Sequence, residues 1–146
     1  TRYTVSLNND HSFDIKKLTR IIKNTFKETG FSFIYSFEYV EKKGLHLEMM
    51  IVTDQSKYSP EQVRKVLIKA LINMDGVTIT TENDYTKLAL NYHQVRGKYL
   101  KTGVKAGHNL KNEVHFKACV YRASYLAKQD NKQQVQYKKK FGTITG

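Results

Sequence analysis

A single α+β domain, an antiparallel sheet of about five strands with helices packed on one face, follows from three observations on the chain. Segments in which apolar and polar residues alternate (2–7, 31–41, 44–52 and 77–81) are interleaved with two segments, 13–29 and 59–74, whose apolar residues recur at helical spacing. Their order is strand, helix, strand, strand, helix, strand, the split βαβ or ferredoxin-like unit, in which both helices cover the same face of the sheet. The third observation is that the parity of all four strands agrees on which face that is. A chain of 146 residues, 40% of them hydrophobic, suffices for one core spanning 1–146, since a chain of this length buries roughly 68–70% of its unfolded surface.

The first strand turns Tyr3, Val5 and Leu7 inward and Thr4 and Ser6 outward, and Asn8-Asn9-Asp10 is a turn cluster. The spacing of Ile15, Leu18, Ile21, Ile22 and Phe26 predicts a helix over 13–29, opened by Ser12 or Asp14 and closed by Gly30. Phe31, Phe33, Tyr35, Phe37 and Tyr39 then line the inner face of a long strand, and Ser32, Ile34, Ser36, Glu38 and Val40 its outer face. Lys42-Lys43-Gly44 has the size of a three-residue hairpin loop, and 44–52 returns with Leu45, Leu47, Met49 and Ile51 inward. Ser59-Pro60-Glu61-Gln62 is a helix start: a serine cap, proline in the first position, and glutamine three residues after the cap. Val63, Val66, Leu67, Ala70, Leu71 and Met74 form that helix's buried side, which Asp75-Gly76 ends before a strand at 77–81. Beyond it, Tyr85, Leu88, Leu90 and Tyr92 suit a fifth strand, 98–107 reads as a basic, glycine-punctuated loop, and a third helix is expected over 112–129. Val114, Ala118, Tyr121, Tyr125 and Lys128 share one face of that helix, and Cys119 reads as a packing residue, not a nucleophile.

Composition narrows the partners. The net charge is +12, with 25 Lys and Arg against 13 Asp and Glu, which suits a polyanion, nucleic acid first and an anionic membrane second. No apolar run approaches 18 residues and no signal-peptide pattern is present, so membrane insertion is not expected. A single cysteine precludes an internal disulfide framework and suits a reducing, cytoplasmic compartment. The chain opens on Thr1 rather than Met, as an excised domain would. No glycine-rich phosphate loop and no internal repeat is found.

The hairpin carries the first candidate site. His46 and Glu48, two residues apart on a strand, point the same way. The predicted register pairs Val40 with His46 and sets Glu38 opposite Glu48, so that two carboxylates face each other and repel. A divalent cation held by His46, Glu48 and Glu38 turns that repulsion into coordination, with His93 or Glu41 as substitutes for Glu38. The competing reading is a polar surface strand. The second candidate site is on the third helix. Tyr121 and Tyr125 stand one turn apart with Lys128 a turn beyond, a pattern that half-buried packing also produces.

Together, Gly44-Leu45-His46-Leu47-Glu48, Ser124-Tyr125-Leu126-Ala127-Lys128 and Phe141-Gly142-Thr143 resemble the HUH endonuclease superfamily, and within it the inovirus-type replication initiator family. Asn8-Asn9 is similar to the opening motif of related rolling-circle initiators. The resemblance runs from about residue 31 to the end of the chain. It implies a site-specific nickase of single-stranded or hairpin origin DNA, bacterial or from a bacterial virus, that works beside a host helicase or polymerase. It implies the tyrosine-bearing helix near the open face of the sheet and a covalent 5′-phosphotyrosyl link. Tyr125 is then the nucleophile, Lys128 its charge partner, and Tyr121 either a second nucleophile or structural. The family strand reads His-hydrophobic-His; here the second position is Glu48, and a carboxylate directs the site to Mg²⁺ or Mn²⁺ rather than zinc.

Two rivals share these features. A non-catalytic nucleic-acid-binding module uses the same fold, but RNA-recognition domains need aromatics on the open face, where this chain has Ser, Thr, His and Glu. A basic structural protein of a ribosome or virion accounts for the charge but not for Glu38 and Glu48. In every nucleic-acid reading, Lys98, Lys101, Lys105, Arg122, Lys138, Lys139 and Lys140 are the candidate phosphate contacts.

Overall fold

The computed structural model describes residues 1–82, 85–88, 90–93, 109–128 and 131–146, those at 80–82, 85–88 and 90–93 by backbone alone. The elements are β1 (Arg2–Ser6), α1 (Ile15–Phe26), β2 (Phe31–Val40), β3 (Gly44–Thr53), α2 (Pro60–Leu71), β4 (Ile79–Glu82), β5 (Tyr85–Leu88), β6 (Leu90–His93), α3 (Glu113–Leu126) and β7 (Phe141–Thr145). The architecture is α+β: an open antiparallel sheet in the order β6-β1-β3-β2-β7 and three helices. Four of its strands, β1, β3, β2 and β7, carry the described side chains.

Local chemistry accounts for the helix starts. The Asp14 carboxylate accepts from the backbone N–H groups of Lys16 and Lys17, so of the two candidate caps aspartate is the one used. At α2 the capping box is complete: Ser59 Oγ accepts from Gln62 N and Gln62 Oε1 accepts from Ser59 N. Leu18, Ile22 and Phe26 of α1 and Val63, Leu67 and Leu71 of α2 are buried against Phe31, Phe33, Tyr35 and Phe37 of β2 and Leu45, Leu47, Met49 and Ile51 of β3. Each such side chain contributes about 1.5–3 kcal/mol by leaving water, so the sheet face chosen by parity is fixed by many residues at once.

The hairpin register differs from the expected one by two residues. Val40 pairs with Gly44, Glu38 with His46 and Ser36 with Glu48. The loop is Glu41-Lys42-Lys43, and Gly44, at φ +71°, is already the first strand residue. Asn9 Oδ1 accepts from Leu45 N at 2.9 Å, and a Cβ at Gly44 would lie a tight 3.0 Å from that oxygen. A slip of two residues preserves the faces. It therefore moves Glu38 from opposite Glu48 to opposite His46 while keeping all three side chains on one side.

The edges of the sheet also differ from expectation. The strand expected at 77–81 meets β1 only at its end, through a Leu7–Val77 bridge and a bond from Thr78 N to Ser6 O. The β1 edge is occupied instead by β6, with Arg2 through Val5 paired to His93 through Leu90, and Ile79–Glu82 turns away to pair with β5. The single strand expected from Tyr85, Leu88, Leu90 and Tyr92 is thus split between two sheets. On the far edge β7 adds to β2, joining Phe141 to Ser36 and Thr145 to Ser32; the Phe-Gly-Thr motif is a strand.

The face away from α1 and α2 is not fully open. Helix α3 lies on it, burying Cys119 and Leu126 with Met50, against Ile34, Ala123 and Phe141. Its buried side is Ala118, Cys119, Arg122 and Leu126, and Val114, Tyr121 and Tyr125 remain exposed on its rim. Cys119 is buried and its thiol is pushed up by that burial, which suits packing and not nucleophilic chemistry. No helix among the described residues is long and apolar enough to cross a membrane.

Candidate metal and tyrosine site

Glu38, His46 and Glu48 converge on the α3 side of the sheet, each less than 9% exposed. One ligand atom from each lies within 4.8 Å of the others. His46 Nε2 stands 3.6 Å from Glu38 Oε2 and 3.7 Å from Glu48 Oε1. Adjacent octahedral ligands at about 2.1 Å from Mg²⁺ are about 3 Å apart and opposite ones about 4.2 Å, and the two observed spacings fall between these limits. The Gly44 carbonyl lies 3.2 Å from His46 Nδ1. A carbonyl only accepts, so Nδ1 carries a proton; Nε2 faces the two carboxylates, protonated toward them in the metal-free cluster and able to ligate a cation once that proton is lost. Two carboxylates and one imidazole are a donor set able to hold a divalent metal ion. Ser36, fully buried across from Glu48, has a hydroxyl oxygen that meets no hydrogen-bond partner. A buried, unanswered hydroxyl on the same face as the three ligands is a group that a water or hydrated ion would satisfy. The residues present fit a divalent cation.

Two basic residues that the sequence did not single out complete the cluster. Arg2 on β1 donates from Nε (3.0 Å) and Nη2 (2.8 Å) to Glu48 Oε2, and Thr4 Oγ1 donates to Glu48 Oε1 at 2.8 Å. Lys132, itself buried, brings Nζ to 3.9 Å from Glu38 Oε1 and also donates to the Lys128 carbonyl. The pairing of β1 with β3 imposes the first of these contacts, because Thr4 lies directly across from Glu48 and Arg2 across from Met50. The second depends on the segment after α3, which is tied along β2 by bonds from Tyr39 N to Asn131 O and Phe37 N to Lys140 O and by Tyr137 stacked on Phe37 at 4.0 Å. The only sequence signal for Arg2 was its place on the outer parity of β1; Lys132 had none.

The tyrosine reaches the same neighbourhood. Tyr125 is 46% exposed; the Arg2 guanidinium carbon lies 5.5 Å from its ring centroid, and Lys128 Nζ lies 4.4 Å from it. Arg2 therefore touches both the carboxylate cluster and the tyrosine. Tyr121, at 61% exposure, stands a turn earlier on the outer rim. Among the alternative metal ligands, Glu41 is exposed in the hairpin loop, outside the cluster, and the side chain of His93 lies outside the described residues. Asn8 and Asn9 have structural partners: Thr78 Oγ1 donates to Asn8 Oδ1, and Leu45 N to Asn9 Oδ1.

Of the expected phosphate contacts, Lys138 and Lys139 are exposed. Lys140 is half-buried and donates to the Lys132 carbonyl at 2.9 Å. Arg122 is buried on the packed side of α3. Lys98, Lys101 and Lys105 lie outside the described residues.

Burial alone would lower the His46 pKa, but the Glu38 contact, the Gly44 carbonyl and the Glu48 charge together outweigh it and leave it raised. A raised folded value means that the metal-free protein gains stability from the imidazolium below the unfolded histidine pKa of about 6.5, and loses it as pH climbs through the folded value. In chelator, denaturation midpoints of wild type and His46→Gln should therefore differ more at pH 5.5 than at pH 8.5. A difference independent of pH removes the ion-pair account. No protein-family model, no curated protein and no solved structure matches the chain.

Proposed function

We propose that the chain is a metal-dependent, DNA-nicking and strand-transferring endonuclease of the HUH type on a ferredoxin-like fold, initiating rolling-circle replication through a 5′-phosphotyrosyl intermediate. The observation that carries this reading is Arg2, which joins the Glu38–His46–Glu48 cluster to the exposed Tyr125 and so puts a candidate nucleophile and a candidate cation seat beside one guanidinium.

Glu38, His46 and Glu48 hold the ion in this reading. A bound Mg²⁺ or Mn²⁺ supplies Lewis acidity at a non-bridging phosphate oxygen. Tyr125 Oη attacks phosphorus, an Oη–P bond forms, and the P–O3′ bond breaks. The phenolic proton passes to solvent and the departing 3′ oxygen takes one back, so a phosphodiester is exchanged for a phosphotyrosyl ester without hydrolysis and can be rejoined. Lys128, beside the Tyr125 ring, favours the developing phenolate and offsets phosphate charge. Tyr121, a turn away, serves as a second acceptor or as packing. Lys138 and Lys139 hold flanking phosphates. The expected substrate is single-stranded or hairpin DNA at an origin.

The test is incubation with a labelled pool of random single-stranded and hairpin oligonucleotides. A covalent protein–DNA adduct should survive denaturing electrophoresis in Mn²⁺ and be absent in EDTA. No adduct from the pool in Mn²⁺ would sink the proposal.

A second reading has one observation in its favour. Arg2 and Lys132 already neutralise the two carboxylates, so the cluster also makes sense as an ion-pair lock inside a DNA-binding module that does not cut. That reading expects salt-dependent oligonucleotide binding with no heat of Mn²⁺ binding in calorimetry.

A further inference from the structure

We propose that Arg2 is a metal-displaced phosphate clamp: it occupies Glu48 when the cation seat is empty and is released toward the Tyr125 phosphate when the seat fills. The inference rests on the metal-dependent reading above and adds a role for a residue outside the ligand set.

Both Arg2 bonds land on a single oxygen, Glu48 Oε2, while Oε1 receives Thr4 and faces His46 Nε2. A cation seated between Glu38, His46 and Glu48 draws on the same carboxylate and puts a double positive charge beside the guanidinium. Two cations sharing one carboxylate in a buried cluster repel strongly, and Arg2 is the one with somewhere to go. Its side chain is 17% exposed, against 8% for Glu48 and for Lys132, and its guanidinium already lies against the exposed Tyr125 ring. Lys128 brackets the same ring. An anion brought to Tyr125 meets both, and the planar guanidinium matches two phosphate oxygens at once. One residue thus screens the carboxylates in the empty protein and the phosphate in the loaded one.

The signature is a pair of effects of opposite sign. Arg2→Gln removes the competitor, so Mn²⁺ should bind roughly tenfold more tightly in calorimetry on the full chain. The same variant should bind a mixed-sequence single-stranded oligonucleotide about tenfold more weakly than wild type in Mg²⁺. Arg2→Lys keeps the competing charge and should leave Mn²⁺ affinity near wild type. Should Arg2→Gln not fold, the wild-type chain still answers: the Arg2 Nε–H resonance should shift, and its exchange with water quicken, on saturation with Mg²⁺. Wild type binding Mn²⁺ with Arg2→Gln equal or weaker, Arg2→Lys tightening as much as Arg2→Gln, equal oligonucleotide affinities, or an unmoved Nε–H resonance would each overturn the role of Arg2 alone. Failure of both wild type and Arg2→Gln to bind Mn²⁺ would instead bring down the metal-dependent reading, and this inference with it.

Discussion

Tyr125→Phe should abolish the covalent DNA adduct, a loss on the order of 10³-fold or more, because the phenolic oxygen is the only atom removed and it is the one that bonds to phosphorus. The ring stays beneath Arg2 and Lys128, and the residue is 46% exposed, so folding and oligonucleotide affinity should be close to wild type. That separation makes the variant informative: binding without adduct identifies the nucleophile, whereas loss of both would mean that the hydroxyl serves recognition. Tyr121→Phe is the partner experiment. Adduct that persists in Tyr125→Phe and vanishes in Tyr121→Phe transfers the role one turn up the helix. Adduct that needs both tyrosines for a complete cleavage-and-rejoining cycle, but only Tyr125 for the first cut, gives Tyr121 the second transfer.

Glu48→Ala carries the largest expected cost to stability. The carboxylate is buried and answers Arg2, Thr4 and His46 at once. Removing one member of a buried ion pair costs about 3–5 kcal/mol, because the partner charge is left without compensation. The low end is expected here, since Arg2 retains 17% exposure and can turn toward solvent. Urea denaturation measures the loss, and calorimetry should show Mn²⁺ binding gone in the same protein. Glu48→Gln keeps the shape and an acceptor oxygen for Thr4, so it should recover much of the stability and little of the metal affinity. A Glu48→Ala protein as stable as wild type would show that the cluster is solvated and not an organised site.

The parts of this protein legible from sequence are those governed by local rules. Alternation decides which side of a strand a residue occupies, so His46, Glu48 and Glu38 share one face in the expected hairpin register and in the observed one alike, although the two differ by two residues. Caps and stops decided α1 and α2, because Asp14, Ser59 and Gln62 act on backbone groups two or three residues away. The spacing of Tyr121 and Tyr125 puts them on one helix face, but spacing does not tell which side of α3 is buried: that face is exposed, and Lys128 falls just past the helix end. The buried side is set by Met50, Ile34 and Phe141, which come from three different strands.

What tertiary structure alone decided is charge and closeness. Arg2 reaches Glu48 across 46 positions of sequence, and no periodicity links them; Lys132 reaches Glu38 from a segment with neither helical nor strand pattern. The occupants of the sheet edges, β6 on one side and β7 on the other, were chosen by competition for unpaired backbone along β1 and β2. Side-chain direction repeats along a strand and can be read one residue at a time. The neighbour across a gap between elements depends on how the whole chain packs, and here that neighbour turned three polar side chains into a charged cluster beside a tyrosine.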